Sequence, residues 1–117
     1  MTSRFGWRVH PIFGGREFHT GMDIATRYGS PVVAALGGVV RFVGWKSGYG
    51  RLVVIEHDGG IETSYSHLSA AVVSPGQGVA PGQVIGRIGS SGWSTGPHLF
   101  FELRRNGVPV DPARYLN

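Results

Sequence analysis

Short stretches rich in β-branched and aromatic residues, separated by glycine-containing turns, dominate the hydrophobic pattern of the chain. No window places apolar residues at positions i, i+3, i+4 and i+7 over three turns, so little helix is expected. The pattern predicts β-strands instead. The predicted strands cover residues 22–25, 31–35, 38–45, 51–57, 61–67, 83–88 and 98–103.

Turn sequences separate these strands. Asp58-Gly59-Gly60 lies between two of them and predicts a hairpin. Residues 75–77 (Pro-Gly-Gln) recur as residues 81–83, which we interpret as two similar turns. Asp111 and Pro112 are suited to the N-cap and first position of one helical turn over residues 111–116. Strands at roughly 8–12-residue spacing with glycine turns are typical of an all-β sandwich or barrel-like sheet.

Composition supports a packed fold with many tight turns. The 117 residues include 20 glycines and 7 prolines, yet 41% are hydrophobic, which argues against a low-complexity chain. No linker or change of composition divides the sequence, so we expect one domain over residues 1–117. The absence of cysteine excludes disulfides and thiolate metal sites.

The net charge of +4 bears on the kinds of molecule that the protein is expected to bind. The basic residues are scattered and accompany no recognition helix, so direct nucleic-acid binding is not expected. A mildly positive surface suits acidic polymers such as bacterial cell walls. No stretch approaches the roughly 18 apolar residues of a membrane span, and the opening residues lack the apolar core of a signal peptide.

Four residues could form one polar site. His19 and Asp23 flank Gly21 where a loop enters a strand, and their nitrogen and oxygen atoms suit zinc. His67 ends one predicted strand and His98 begins another. Each residue alone is also compatible with a structural histidine or a turn aspartate, but the four together favour a common site. Alternation along a strand places His98, Phe100 and Glu102 on one face.

The remaining candidates are weaker. His57 precedes the Asp58 turn and is expected at a solvent-exposed hairpin tip. His10 is held extended by the proline that follows it, where it lines a groove or packs against the core. Tyr49 and Trp93 lie in glycine-rich loops and are candidates either for groove walls or for core partners.

These motifs, taken in order, resemble the lysostaphin/LytM-type zinc metallopeptidases, which cut peptide cross-bridges in bacterial peptidoglycan. The resemblance implies an all-β, single-domain antiparallel β-sandwich or barrel-like LytM (duplicated hybrid motif) fold with little helix. The segments that carry it are residues 5–11, 18–24, 29–35, 48–50, 65–68 and 94–99.

The resemblance also implies roles for individual residues. His19 and Asp23 would be zinc ligands, His67 and His98 would be catalytic, and the third zinc ligand would stand at position 100. That position holds Phe100, which offers no lone pair. Zinc hydrolases need three protein ligands and an open position for water, so zinc is expected to bind weakly or not at all.

Glu102 and His10 could in principle replace the missing zinc ligand, but the sequence places neither residue near the metal position. Glu102 lies about 6.7 Å further along the strand and is not expected to reach back. Nothing in the sequence brings His10 to the metal position.

Two functions therefore remain open, with a third less favoured. The first is a degenerate domain that binds peptidoglycan, or regulates a cell-wall hydrolase or another envelope protein. The second is an active zinc endopeptidase, since every other site residue is retained. A sugar-phosphotransferase carrier domain with two facing histidines fits the motif around His19 less well. The resemblance places the protein in the cell envelope or outside the cell, or in a phage genome.

Overall fold

The computed structural model describes the backbone of residues 6–9, 16–19, 22–25, 27–89 and 98–112, and the side chains of residues 27–89 and 99–112. Strands account for most of these residues. They are β1 (Gly6–Val9), β2 (Arg16–His19), β3 (Met22–Ala25), β4 (Pro31–Val33), β5 (Gly38–Lys46), β6 (Gly50–Glu56), β7 (Ile61–Ala71), β8 (Gly78–Val79), β9 (Val84–Ile88), β10 (His98–Arg105) and β11 (Val108–Val110).

Nine of these strands form one curled antiparallel sheet, and β1 pairs with β2 in a separate hairpin. The main path runs β11-β10-β7-β6-β5-β8. β3 pairs with β10, while β9 joins the far end of β7 to β4. The predicted all-β, barrel-like antiparallel fold is confirmed.

Each predicted strand is present, with shifted ends. β7 continues past His67 to Ala71, and β4 ends at Val33. Strands β1, β2, β8 and β11 are too short to give a clear pattern, and the sequence did not predict them. Pro112 begins the predicted helical turn, whose other residues lie outside the described part of the chain.

The core lies on one face of the curled sheet. Leu99, Phe101 and Leu103 of β10 are buried there, alternating with Phe100, Glu102 and Arg104. Since successive strand residues point to opposite faces, the second set lies on the face that the core does not use. The other core residues include Val53, Ile55, Tyr65, Leu68 and Ile85.

The predicted hairpin is confirmed, but the expectation for His57 was wrong. A short 3₁₀ turn at Asp58–Gly60 joins β6 to β7. The half-buried His57 ring lies 2.7 Å from Gly37 O through Nδ1 and 2.7 Å from Thr63 Oγ1 through Nε2. Hydrogen bonds to other parts of the sheet therefore give this ring a structural role. The local sequence pattern does not reveal these contacts.

The two Pro-Gly-Gln turns have the same conformation. In each turn the glutamine N–H donates to the carbonyl three residues earlier, at 3.1 Å for Gln77 and 3.1 Å for Gln83. The glutamine side chain accepts a hydrogen bond from the same earlier residue, Ser74 or Ala80. Gly76 and Gly82 have φ of 89° and 81°, as a type II turn requires. The interpretation as two similar turns is confirmed.

Candidate functional site

Phe100 lies at the centre of three paired strands. In the register of β10 its partner in β3 is Asp23, and its partner in β7 is Ser66. Residues directly opposite in antiparallel strands share one face of the sheet. Asp23, Phe100 and Ser66 therefore form a row across β3, β10 and β7, on the face away from the core.

A bulge in β7 brings His67 to the same side. The pairing of β6 with β7 shifts between Arg51↔Leu68 and Val53↔Tyr65. His67 occupies the bulge with φ of 65°, a left-handed conformation that is unfavourable for a residue with a side chain. Without the bulge, alternation after Tyr65 would direct His67 into the core. Instead its ring packs against the Phe100 ring in a T-shaped arrangement, with ring centroids 6.5 Å apart.

Backbone hydrogen bonds fix the bulged residue on both sides. The His67 N–H donates to Tyr49 O at 2.9 Å, and Gly89 N–H donates to His67 O at 3.0 Å. These contacts offset the strained conformation. His67 is 6% exposed, so the strained residue is held firmly in a largely buried position.

Tyr49 forms the other side of the Phe100 environment. It belongs to the turn between β5 and β6, between Gly48 and Gly50, which both have positive φ. The Tyr49 and Phe100 ring centroids are 6.2 Å apart. Rings therefore flank the Phe100 side chain on two sides, and no hydrogen-bonding atom is contributed at position 100.

Among the described side chains, two buried polar atoms near Phe100 have no hydrogen-bond partner. One is Ser66 Oγ, whose residue in β7 is the register partner of Phe100. The other is Glu102 Oε2, two residues further along β10. The second carboxylate oxygen, Glu102 Oε1, accepts a hydrogen bond from Arg104 Nε at 2.5 Å. The Glu102 carboxylate thus interacts with Arg104, on the side of Glu102 away from Phe100.

A groove continues from Tyr49 along this face of the sheet. Leu52 and Val54 of β6 form its apolar floor, and Phe42 of β5 borders its far end. The Lys46 ammonium lies 5.4 Å from the centre of the Tyr49 ring. Glu62 pairs with Arg41 at the rim. The charged side chains along the groove are Arg41, Lys46, Glu62, Glu102 and Arg104.

The described side chains provide no metal-binding cluster. No group of three or more histidine, cysteine, aspartate or glutamate side chains converges within residues 27–89 and 99–112. The backbones of His19, Asp23 and His98 lie in β2, β3 and β10, while their side chains are outside the described part. His10 and Trp93 are also outside it, and Tyr49 lies beside Phe100 as a groove residue would.

Sequence reasoning missed two features of this site. The pairing of Glu102 with Arg104 could have been suspected from their spacing of two along one strand face. The bulge at His67 had no local signal, since no glycine marks it.

In the part of the chain that the structure describes, no helix has the length and apolar character needed to cross a membrane.

With this geometry in place, comparison with known proteins identifies the class. The family model described as peptidase family M23 matches residues 17–112. The chain therefore belongs to peptidase family M23.

Curated relatives of the chain include an enzyme and an activator. The DD-carboxypeptidase/endopeptidase Mpg of Neisseria meningitidis is 51% identical over 113 residues, 97% of this chain and 26% of that protein. The murein hydrolase activator EnvC of Escherichia coli is 42% identical over 96 residues, 82% of this chain and 23% of that protein. The chain thus spans about a quarter of the length of these relatives.

Solved structures share the fold closely. The catalytic domain of the prophage-encoded M23 protein EnpA of Enterococcus faecalis, in a mutant form, has a TM-score of 0.86 and 40% identity, covering 97% of this chain and 88% of that one. A zinc-containing peptidase of Vibrio cholerae has a TM-score of 0.85 and 41% identity, covering 94% and 34%. The catalytic domain of lysostaphin of Staphylococcus simulans has a TM-score of 0.84 and 35% identity, covering 97% and 88%. The resemblance to lysostaphin/LytM-type peptidases is confirmed.

Proposed function

We propose that residues 1–117 form one M23 domain that binds peptidoglycan peptides without efficient zinc-dependent hydrolysis. In this role the domain anchors to the cell wall or presents a cell-wall hydrolase to its substrate. The observation that carries the proposal is the aromatic ring of Phe100, in register with Asp23 and flanked by the rings of Tyr49 and His67.

The donor set does not fit a three-ligand zinc site. His19 and Asp23 are the proposed ligands that remain, and Phe100 contributes only carbon at the third position. Glu102 is engaged with Arg104 and lines the groove further along β10. Losing one of three ligands forfeits about 3–5 kcal/mol of a binding free energy of about 10–16 kcal/mol, or roughly 10²–10⁴ in zinc affinity.

The groove supports binding in the absence of hydrolysis. An apolar floor with charged side chains on both sides suits an extended peptide, whose backbone and charged groups need partners of both kinds. A positive net charge favours an acidic polymer by long-range attraction. The proposed partners are accordingly peptidoglycan itself and a cell-wall hydrolase or other envelope protein, with the cell envelope or the cell exterior as location.

An activator among the relatives supports the same proposal. EnvC, which is similar to this chain over 96 residues, is named a murein hydrolase activator, and this supports a role other than direct cleavage. Retention of His67 and His98 is compatible with binding, because imidazole rings donate and accept hydrogen bonds to peptide groups.

A second candidate function is an active zinc endopeptidase that cuts peptide cross-bridges. The identity of 51% to an enzyme named DD-carboxypeptidase/endopeptidase favours it, together with His19, Asp23, His67 and His98 all being present. In that case a ligand outside the described residues would complete the zinc site, and His67 and His98 would move a proton and stabilise the oxyanion.

Sedimentation with insoluble peptidoglycan separates these functions. The binding domain is expected to pellet with peptidoglycan while releasing no soluble peptide fragments, with or without added zinc. A catalytically active family member provides the positive control for fragment release. Fragment release that rises with added zinc and stops with a chelator would overturn the proposal in favour of the endopeptidase. Failure to pellet, with no release, would overturn peptidoglycan binding.

A further inference from the structure

The outer edge of β5 is open over the second half of the strand. β8 and the turn before it pair with β5 only from Gly38 to Val40. Within the described part of the chain, no strand lies along the outer side of residues 41–46. An open edge presents backbone N–H and C=O groups that can pair with another extended segment.

The open backbone groups belong to Val43 and Trp45. Lys46 closes the hairpin of β5 and β6, since its carbonyl accepts a hydrogen bond from Tyr49 N–H at 3.0 Å. Successive residues of an antiparallel strand direct their backbone groups to alternate sides. Gly44 therefore faces β6 as Lys46 does. Val43 and Trp45 direct their N–H and C=O groups to the outer edge instead.

Large apolar side chains flank this edge on both faces of the sheet. Phe42 is 41% exposed and lines a hollow of about 400 Å³ above Leu52 and Val54. A Cβ atom at Gly44 would lie 2.9 Å from the Phe42 ring, so this ring lies over the strand at Gly44. Trp45 lies on the opposite face and is 62% exposed. Exposed aromatic rings beside an open edge favour an interaction surface.

Charge indicates what occupies the edge. The two carboxylates of the groove each pair with an arginine. Lys46, at the end of the open stretch, and Arg51, the register partner of Trp45, bring two further positive charges. This excess favours an acidic segment. It opposes pairing between two copies of this chain, because both copies would bring the same basic side chains to the shared edge.

We propose that an acidic, extended segment of a partner protein adds a strand antiparallel to β5 at residues 41–46. Its backbone pairs with Val43 and Trp45. Its apolar side chains contact Phe42 and Trp45, and its carboxylates approach the basic side chains. The inference rests on the proposed role of presenting a cell-wall hydrolase or binding another envelope protein, and it gives that partner a docking site. Docking at the edge leaves the part of the groove beside Phe100 free.

Hydrogen exchange of the free protein tests whether the edge is open. After correction for intrinsic rates, the amides of Val43 and Trp45 are expected to exchange at least about tenfold faster than that of Gly44. Equal protection at the three positions would overturn the proposal, because the edge would already be paired. Protection of Val43 and Trp45 that rises with protein concentration would overturn it in favour of pairing between two copies.

A designed peptide tests the occupant. The probe is acetylated, amidated Ser-Glu-Thr-Val-Thr-Glu-Ser, whose glutamates and valine share one face of a strand and whose threonines share the other. Titrated into the ¹⁵N-labelled protein, it should shift residues 41–46 and slow exchange at Val43 and Trp45. Replacing both glutamates with lysine, or N-methylating both threonines, should each weaken binding at least about fivefold. No shifts up to about 10 mM peptide, or equal binding of either control peptide, would overturn the proposal.

Variants assign the binding to the edge. Trp45→Ala and Lys46→Gln are each expected to weaken binding of the acidic peptide by about threefold or more. Val39→Ala, at an exposed residue of β5 already paired with β8, and Arg105→Gln, at an exposed arginine of β10, should leave the affinity within about 1.5-fold. Thermal unfolding checks that each variant folds. Equal effects of a variant and its control would overturn the assignment to this edge.

Sedimentation with peptidoglycan in parallel separates this proposal from the proposed function. If the protein pellets but the acidic peptide does not bind, the edge site is wrong and peptidoglycan binding stands. If the peptide binds at β5 but the protein does not pellet, the edge site stands and peptidoglycan binding is wrong.

Discussion

Phe100 of β10 and Asp23 of β3 are register partners, so an aromatic residue is paired across the two strands with a proposed zinc ligand. Ser66 of β7 stands opposite Phe100 on the other side, and its buried hydroxyl has no hydrogen-bond partner among the described residues. The row therefore places an aromatic residue between two polar residues on neighbouring strands.

Replacing Phe100 with histidine should restore metal binding. An imidazole at position 100 would supply a nitrogen donor in register with Asp23, and zinc affinity is expected to rise by roughly 10²–10⁴. Competition with a chromophoric chelator measures the change. Phe42→His, on β5 at the far end of the groove, is the matched control and should produce no comparable gain. An unchanged affinity in Phe100→His would show that position 100 is not a ligand position.

Removing each of two buried hydroxyls in β7 should have a different effect on the free energy of unfolding. Thr63 Oγ1 lies 2.7 Å from His57 Nε2 and 2.9 Å from Tyr65 Oη, so Thr63→Val should cost about 1–3 kcal/mol of unfolding free energy. Ser66 Oγ has no partner, so Ser66→Ala should be neutral or stabilise by up to about 1 kcal/mol. Urea unfolding measures both. A loss in Ser66→Ala as large as that in Thr63→Val would contradict the assignment of partners.

Tyr65 should make the fold sensitive to alkali. Burial raises the pKa of Tyr65 above its ordinary value of 10.0, against smaller opposing effects of hydrogen bonds from Thr63 and Ala35. Above pH 10 the unfolded chain releases this proton while the folded chain retains it, so stability present below pH 10 is lost as pH rises through the folded pKa.

Urea unfolding between about pH 9 and pH 11.5 checks the alkaline effect. Tyr65→Phe should be less stable at neutral pH but should lose less stability across this range. Tyr28→Phe, at a tyrosine that is 66% exposed, should retain the full wild-type slope. Identical slopes for wild type and Tyr65→Phe would contradict the role of this hydroxyl.

Close packing of β9 against β7 should make Gly86 intolerant of a side chain. A Cβ atom at Gly86 would lie 2.6 Å from Ala70 O and 3.1 Å from a Leu68 methyl group. Gly86→Ala is therefore expected to cost about 1–3 kcal/mol. Gly78 of β8 has no atom within 4 Å of the same position, so Gly78→Ala should change stability little. Thermal unfolding compares them, and equal losses would show that β9 relaxes.

The sequence predicted much of the sheet because its strands are rich in β-branched and aromatic residues and are separated by glycine turns. Alternation along β10 also placed Phe100 and Glu102 on one face, away from Phe101, as observed. The position of His67 could not be obtained this way, because a bulge that pairing and backbone contacts stabilise overrides alternation. His57 was misplaced for a similar reason, since its partners Gly37 and Thr63 come from across the sheet.

Metal content of the purified protein tests the central claim most directly. After equilibration with micromolar zinc and removal of the free ion, the protein is expected to carry well under one equivalent of zinc and to release no peptide fragments from peptidoglycan. Phe100→His, treated identically, should carry close to one equivalent. A wild-type protein with near-stoichiometric zinc and with cleavage of cross-bridge peptides would contradict the account.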